Sequence, residues 1–235
     1  MIGVYNYTVW LTYLSLLSAG SGIIVPLTDF NGHPGHPYIG VFFLMFCGLC
    51  DAFDGRVARM KKERTDVEKN FGIQIDSLSD AVAFGVLPAC IGVAMMRTSP
   101  VCDSLKNGLA APYDKVLRFI FYAVLVLYIL AAVIRLAYFN VMEELRQKTE
   151  DGCRKFYTGL PVTSSAIIFP TVMLLQYILP IDITPIYFAV AVLTGYLFLA
   201  KFRVRKPGLR GILVMIAIGA AEAVTMLVFR IFILK

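Results

Sequence analysis

Four aspartates hold the most chemically suggestive positions in the chain. The stretch Asp51-Ala-Phe-Asp54-Gly55-Arg56-Val-Ala58-Arg59 ends one apolar run, and Gly72-Ile-Gln-Ile-Asp76-Ser77-Leu-Ser79-Asp80 opens the next. Positions 51, 54, 55 and 58 follow the i, i+3, i+4, i+7 spacing that places residues on one helix face. Positions 72, 76 and 80 share a face on the following helix. Consecutive helices joined by a short connection pack antiparallel, so the two faces can meet. An aspartate inside a span costs about 2.5–3.5 kcal/mol on insertion scales, and four converging carboxylates also repel one another. A divalent cation offsets both costs. Oxygen-only ligands suit Mg²⁺, Mn²⁺ or Ca²⁺, and two ions bridged by shared carboxylates favour phosphoryl chemistry. Gly55, Ala58 and Gly72 lack bulk on the same faces. They either allow close helix packing or open a cleft for a ligand. Arg56 and Arg59 read as topology charges, or, for Arg59 one turn past Gly55, as a group within reach of a phosphate.

The elements that must carry these residues are membrane helices. The chain has 235 residues, is 58% hydrophobic and only 16% charged, with a mean hydropathy of +0.73. Soluble domains are less apolar and more highly charged. Seven spans are expected, at about 8–27, 37–60, 73–97, 114–142, 159–179, 183–201 and 210–233. Without water each must be helical to satisfy its own backbone. The expected fold is therefore an all-α polytopic membrane bundle forming one domain over 1–235.

Charge orients the bundle. Six basic residues fall at 56–69, four at 146–155 and five at 201–210, against Arg97, Lys106, Lys115, Arg118 and Lys235 on the other side. The basic side should face the cytoplasm. The clusters flank apolar spans without aromatic interleaving, which argues against nucleic acid as a partner. No Lys or Arg precedes Arg56, so the first run reads as a retained span, not a cleaved leader.

Other reactive residues carry weaker signals. Cys47 and Cys50 form a Cys-x-x-Cys inside an apolar segment, read as buried small hydrophobes and not as a zinc or redox site. Cys90, Cys102 and Cys153 bring the count to five, which argues against a disulfide framework. His33 and His36 lie in an outer turn and read as solvated. Asn6 and Thr8 precede the first span, where a helix N-cap is the simplest role. Arg135 near the inner end of the fourth span either snorkels to the interface or clamps an anionic group. Asn140 either bonds a substrate or caps its helix.

The pattern Asp-x-x-Asp-Gly-x-x-Ala-Arg, then Gly-x-x-x-Asp-x-x-x-Asp, resembles the signature of the CDP-alcohol phosphotransferases, over roughly residues 6–200. The twelve residues at 60–71 exceed the family's usual connection and are expected to form a longer cytosolic turn. The segments Phe71–Pro88, Arg135-Leu136-Ala-Tyr-Phe139-Asn140 and Phe156-Tyr-Thr158-Gly159-Leu160-Pro161 are similar to the bacterial and archaeal phosphatidylserine synthase branch. The resemblance implies a six-helix core with the span at 210–233 as an addition. It implies that Asp51, Asp54 and Asp76 bind one metal ion and Asp51, Asp76 and Asp80 a second, as Mg²⁺ or Mn²⁺. Gly55, Ala58, Gly72, Arg59 and Asp54 would line the CDP-lipid cleft, and Asp80 would be the general base. An Asn near position 6 would lie close to the nucleotide. Arg135 and Asn140 would meet the acceptor.

The implied reaction moves a phosphatidyl group from CDP-diacylglycerol to L-serine, giving phosphatidylserine and CMP. It implies a homodimer among membrane lipids in the inner cell membrane, its active site facing the cytoplasm. Glycerol 3-phosphate or inositol phosphate are alternative acceptors, although they would want more basic residues than Arg135. A cation transporter would spread its acids through the bilayer depth, and a non-catalytic scaffold leaves four clustered acids without a role.

Overall fold

The computed structural model describes residues 2–30, 32–61, 63–103, 113–149, 156–179, 181–205 and 208–232. Cys153, Lys62, Lys106, Arg154, Lys155, Lys206 and Lys235 lie outside the described residues. The described chain is an all-α bundle, the architecture of an integral membrane protein.

The first helix, α1 (Trp10–Leu27), packs along α2 (Pro37–Met60). Small side chains set that approach. A Cβ placed on Gly40 would lie 3.2 Å from the Gly22 carbonyl oxygen and 2.7 Å from Ile91, so bulk there would force the helices apart. Hydroxyls and a thiol add interhelical bonds: Ser18 Oγ donates to the Phe43 carbonyl at 3.1 Å and Cys47 Sγ to the Ser15 carbonyl at 3.3 Å. Cys47 and Cys50 are buried free thiols.

The connection after α2 is short. A capping box at Thr65 and Glu68 starts α3 (Asp66–Asp80): Glu68 N donates to Thr65 Oγ1, and Thr65 N to Glu68 Oε2, each at 3.2 Å. Residues 66–71 therefore lengthen the helix, and the expected longer turn is not observed. The physical reason is this cap, which converts a charged insert into helix. Glu68 also accepts from Lys61 Nζ at 2.7 Å and from Asn6 Nδ2 at 2.8 Å. One carboxylate thus ties the N-terminal segment, the end of α2 and the start of α3. Asn6 and Thr8 consequently do not cap α1: Val9 holds that position without a side-chain bond, and Asn6 Oδ1 accepts from Thr8.

A π-helical turn, Ala81–Val86, follows Asp80 directly and leads into α4 (Leu87–Thr98). Pro88 has no N–H to give the Phe84 carbonyl four residues back. The buried Tyr128 hydroxyl supplies that bond at 2.7 Å. Tyr128 sits on α5 (Tyr113–Thr149), and its oxygen also pairs with Ser165 Oγ at 2.8 Å. In a bilayer no water could satisfy the freed carbonyl, so α5 docks against the π turn at this point.

Two shorter apolar helices follow, α6 (Ser165–Ile178) and α7 (Thr184–Leu199), and then α8 (Leu209–Phe232). The chain entering α6 is not helical where a fifth span beginning near 159 was expected. Residues Phe156–Thr158 form a strand antiparallel to Arg203–Arg205, with Thr158 opposite Arg203. Gly159 then adopts a φ of +76°, which L residues with a Cβ rarely tolerate. A 3₁₀ turn, Val162–Ser164, precedes α6. Among the described residues five helical segments are long and apolar enough to cross a bilayer: α1, α2, the continuous α3–α4, α5 and α8. At the opposite end from the aspartates, Arg97 donates to the Leu27 carbonyl and pairs with Asp29, closing the turn between α1 and α2. His33 is exposed there, whereas His36 is half-buried and stacks on Tyr38 with ring centroids 4.8 Å apart.

Candidate active site

The aspartate faces of α2 and α3 do meet. One carboxylate oxygen from each of Asp51, Asp76 and Asp80 lies within 4.8 Å of the others, and all three side chains are half-buried. Asp54 is buried at 9% exposure. Its Oδ1 accepts from the Gly55 backbone N–H, and its carboxyl lies against that of Asp76. The structure thus gathers three aspartates tightly, with the fourth beside them and partly committed to its own backbone. Among the described residues, none of the four makes an ion pair.

That donor set fits hard divalent cations. It offers only carboxylate oxygens, at a separation one ion could bridge, with no sulfur or imidazole among them. Three converging carboxylates without a cationic partner also leave negative charge that a metal would offset.

The three small residues divide between two environments. Gly55 opens onto a cavity, and a Cβ on it would lie 3.4 Å from Arg59 Nη1, so that guanidinium is folded over the glycine. Ala58 and Gly72 instead face Arg64, a residue the sequence pattern did not single out. Arg64 donates weakly to the carbonyls of Ala58 and Glu68, both at 3.4 Å. Its Nη2 would lie 2.9 Å from a Cβ on Gly72, and its Nε is buried without a partner. Arg64 belongs to the charged insert, where nothing in the spacing separates it from its neighbours.

The cavity measures about 580 Å³ and lies between α2, α6 and α8. Asp51, Gly55, Arg56 and Arg59 line one end, and Phe42, Phe46 and Leu49 continue it along α2. Asp51 belongs to both the carboxylate triad and this wall.

Arg135 is buried at 5% exposure, so it does not snorkel. Its Nε donates to the Leu160 carbonyl at 3.2 Å, and its guanidinium sits 5.5 Å from the centroid of the Phe139 ring. Gly159 makes room for it: a Cβ there would lie 3.5 Å from Arg135 Nε and 3.0 Å from the Ala200 carbonyl oxygen. Asn140 is inside α5 and does not cap it. Its Nδ2 donates to Ser77 Oγ at 2.7 Å, next to Asp76. Ser77 is the link between acceptor candidate and metal candidate that sequence alone did not reveal.

Residues 5–202 match the family model for CDP-alcohol phosphatidyltransferase. The chain belongs to that family. A CDP-diacylglycerol–serine O-phosphatidyltransferase of Saccharomyces cerevisiae is 31% identical over 159 residues, covering 65% of this chain and 49% of the relative. An archaetidylserine synthase of Methanothermobacter thermautotrophicus is 31% identical over 180 residues, covering 77% of this chain and 64% of that one. A CDP-diacylglycerol–serine O-phosphatidyltransferase of Helicobacter pylori is 28% identical over 170 residues, 68% of this chain and 60% of the relative. The chain therefore spans about half to somewhat under two thirds of the length of these curated relatives. No solved structure matches it. The family match ends before α8.

Proposed function

We propose that this chain transfers a phosphatidyl group from CDP-diacylglycerol to the hydroxyl of L-serine, yielding phosphatidylserine and CMP. The observation that carries the reading is the junction at Asp51, where a carboxylate triad meets an amphiphilic cavity bearing two arginines. Relatives named as serine phosphatidyltransferases support the donor and the acceptor.

Asp51, Asp76 and Asp80, with Asp54 beside them, would hold divalent metal, Mg²⁺ or Mn²⁺, as two ions. Bound there, the metal would polarise the phosphates and offset the charge on departing CMP. The protein's own groups do the rest. Arg56 and Arg59 draw the diphosphate to the cavity mouth. Gly55 keeps the α2 backbone accessible to the nucleotide, whereas Ala58 and Gly72 would line its cleft with Arg64, whose guanidinium lies against both, turned to a phosphate. Arg135, desolvated and anchored on Leu160, meets the serine carboxylate, and Asn140 steadies Ser77 beside Asp76. The serine hydroxyl attacks the phosphorus bearing diacylglycerol, its proton passes to an oxygen of Asp80, and the bond from that phosphorus to CMP breaks. Positioning of the two substrates provides most of the acceleration, because a carboxylate is a weak base. We further assign the site to the cytoplasmic face of the inner membrane, on the positive-inside pattern, and the assembly to a homodimer.

The test is CMP release by purified protein from CDP-diacylglycerol, with serine, glycerol 3-phosphate or inositol phosphate as acceptor. Release with serine is expected. Release with glycerol 3-phosphate but not serine defeats the acceptor assignment. Asp80→Asn should lower kcat at least 100-fold; full turnover in that variant removes Asp80 as the base.

A further inference from the structure

The C-terminal helix α8 lies outside the family match, yet it forms a wall of the cavity that contains Asp51. Ile212, Met215, Ile216, Gly219, Ala220 and Ala223 face into that space across from α2 and α6. Their spacing follows the helical repeat, so one stripe of α8 is turned inward. Small residues occupy its middle. A Cβ placed on Gly219 would meet no heavy atom within 4 Å, so the glycine opens directly on the cavity.

The helix is held in place by a buried carboxyl. Glu222, 7% exposed, receives the Thr171 hydroxyl of α6 on Oε1. Met226, fully buried one turn on, packs into the core cluster. An acid inside an apolar helix is costly, and its bond to Thr171 fixes which face of α8 turns toward α2.

The cavity has two ends of opposite chemistry. Positions Asp51, Gly55, Arg56 and Arg59 give a charged mouth, whereas Phe42, Met45, Phe46 and Leu49 give an apolar run. From Phe42 to Arg59 the lining extends along about 25 Å of α2. A volume of about 580 Å³ falls within the roughly 300–1,000 Å³ of ordinary ligand sites. A phosphate-bearing amphiphile fits this gradient, with its head at the arginines beside the carboxylate triad and an aliphatic chain running between α2 and α8.

We propose that α8 completes a binding groove for one acyl chain of the lipid donor, and that the width left by Gly219 and Ala220 governs which chains enter. The inference rests on the donor assigned above. Gly219 is the control point, because its missing side chain leaves open the space the acyl chain would occupy. Ile218, by contrast, is 45% exposed on the bilayer side of the same helix.

The test uses full-length protein in lipid nanodiscs and a CDP-diacylglycerol analogue carrying a diazirine on a sixteen-carbon acyl chain. Irradiation should label the tryptic peptide 211–230. Gly219→Phe should reduce that labelling at least fivefold, and Ile218→Phe should change it less than twofold. Label confined to other helices, or equal losses in the two variants, overturns the proposal. CMP release is measured in parallel. Labelling of 211–230 without CMP release from any acceptor would remove the proposed reaction while leaving the groove standing. CMP release without label in 211–230 would do the reverse.

Discussion

Replacing Asp76 with Asn separates a metal-binding triad from a merely structural cluster. Asp76 shares the triad with Asp51 and Asp80, so the substitution removes two of the three carboxylate pairs. The oxygens lie within 4.8 Å, and at an effective dielectric of 20 a pair with both carboxyls ionised would repel by about 3.5 kcal/mol. Side-chain relaxation in metal-free protein reduces the realised relief to about 2–3 kcal/mol. For a chain of this length, one kcal/mol moves Tm by about 2–4 °C, so Asp76→Asn should melt about 4–12 °C higher than the parent in EDTA. Manganese should close the gap. A ligand at 100 times its Kd stabilises by about 2.7 kcal/mol, a gain the parent receives and the variant largely loses. The assay is thermal unfolding in detergent with a thiol-reactive dye, which reads the buried Cys47 and Cys50 as they become exposed. A variant that melts below the parent in EDTA, or gains as much from Mn²⁺, refutes the reasoning.

Further outcomes follow from the surrounding structure. Arg135→Ala should raise the serine KM roughly 10- to 150-fold, the equivalent of one charged hydrogen bond at about 1.5–3 kcal/mol. The KM for CDP-diacylglycerol should stay within threefold, and equal changes in the two constants would count against an acceptor role. Gly159→Ala forces a Cβ to 3.0 Å from the Ala200 carbonyl at a φ of +76°. It should destabilise by about 1–3 kcal/mol, read as a lower Tm. In the connection between α6 and α7, burial raises the Asp182 carboxyl. Bonds from Ser99, Thr184 N and Val101 N outweigh that effect and hold it below its ordinary value of 3.8. Its stabilisation is therefore complete above about pH 4 and lost as pH falls through the lower folded value. Asp182→Ala should lower Tm at pH 6 and erase that part of the acid dependence.

The primary sequence was enough to find the helices and the aspartate faces. Long apolar runs allow only one backbone solution in a bilayer, and i, i+3, i+4 spacing fixes which residues share a face whatever the partner helix. Hence Asp51, Asp76 and Asp80 could be brought together on paper before any packing was known. The remaining features depend on contacts between distant segments. The cap at Thr65 lengthened α3 where a turn was expected, because a local bond to Glu68 outweighed the charge of the insert. The strand pair at 156–158 and 203–205 shortened the entry to α6, since its hydrogen-bond partners lie more than forty residues away. Arg64 filled the Gly72 notch, Tyr128 replaced the N–H that Pro88 lacks, and α8, past the end of the family match, closed a cavity. Periodicity says which way a side chain leaves its own helix. Which helix stands opposite, and how closely, is set only when small residues, buried hydroxyls and one membrane carboxyl are brought into register by the folded bundle.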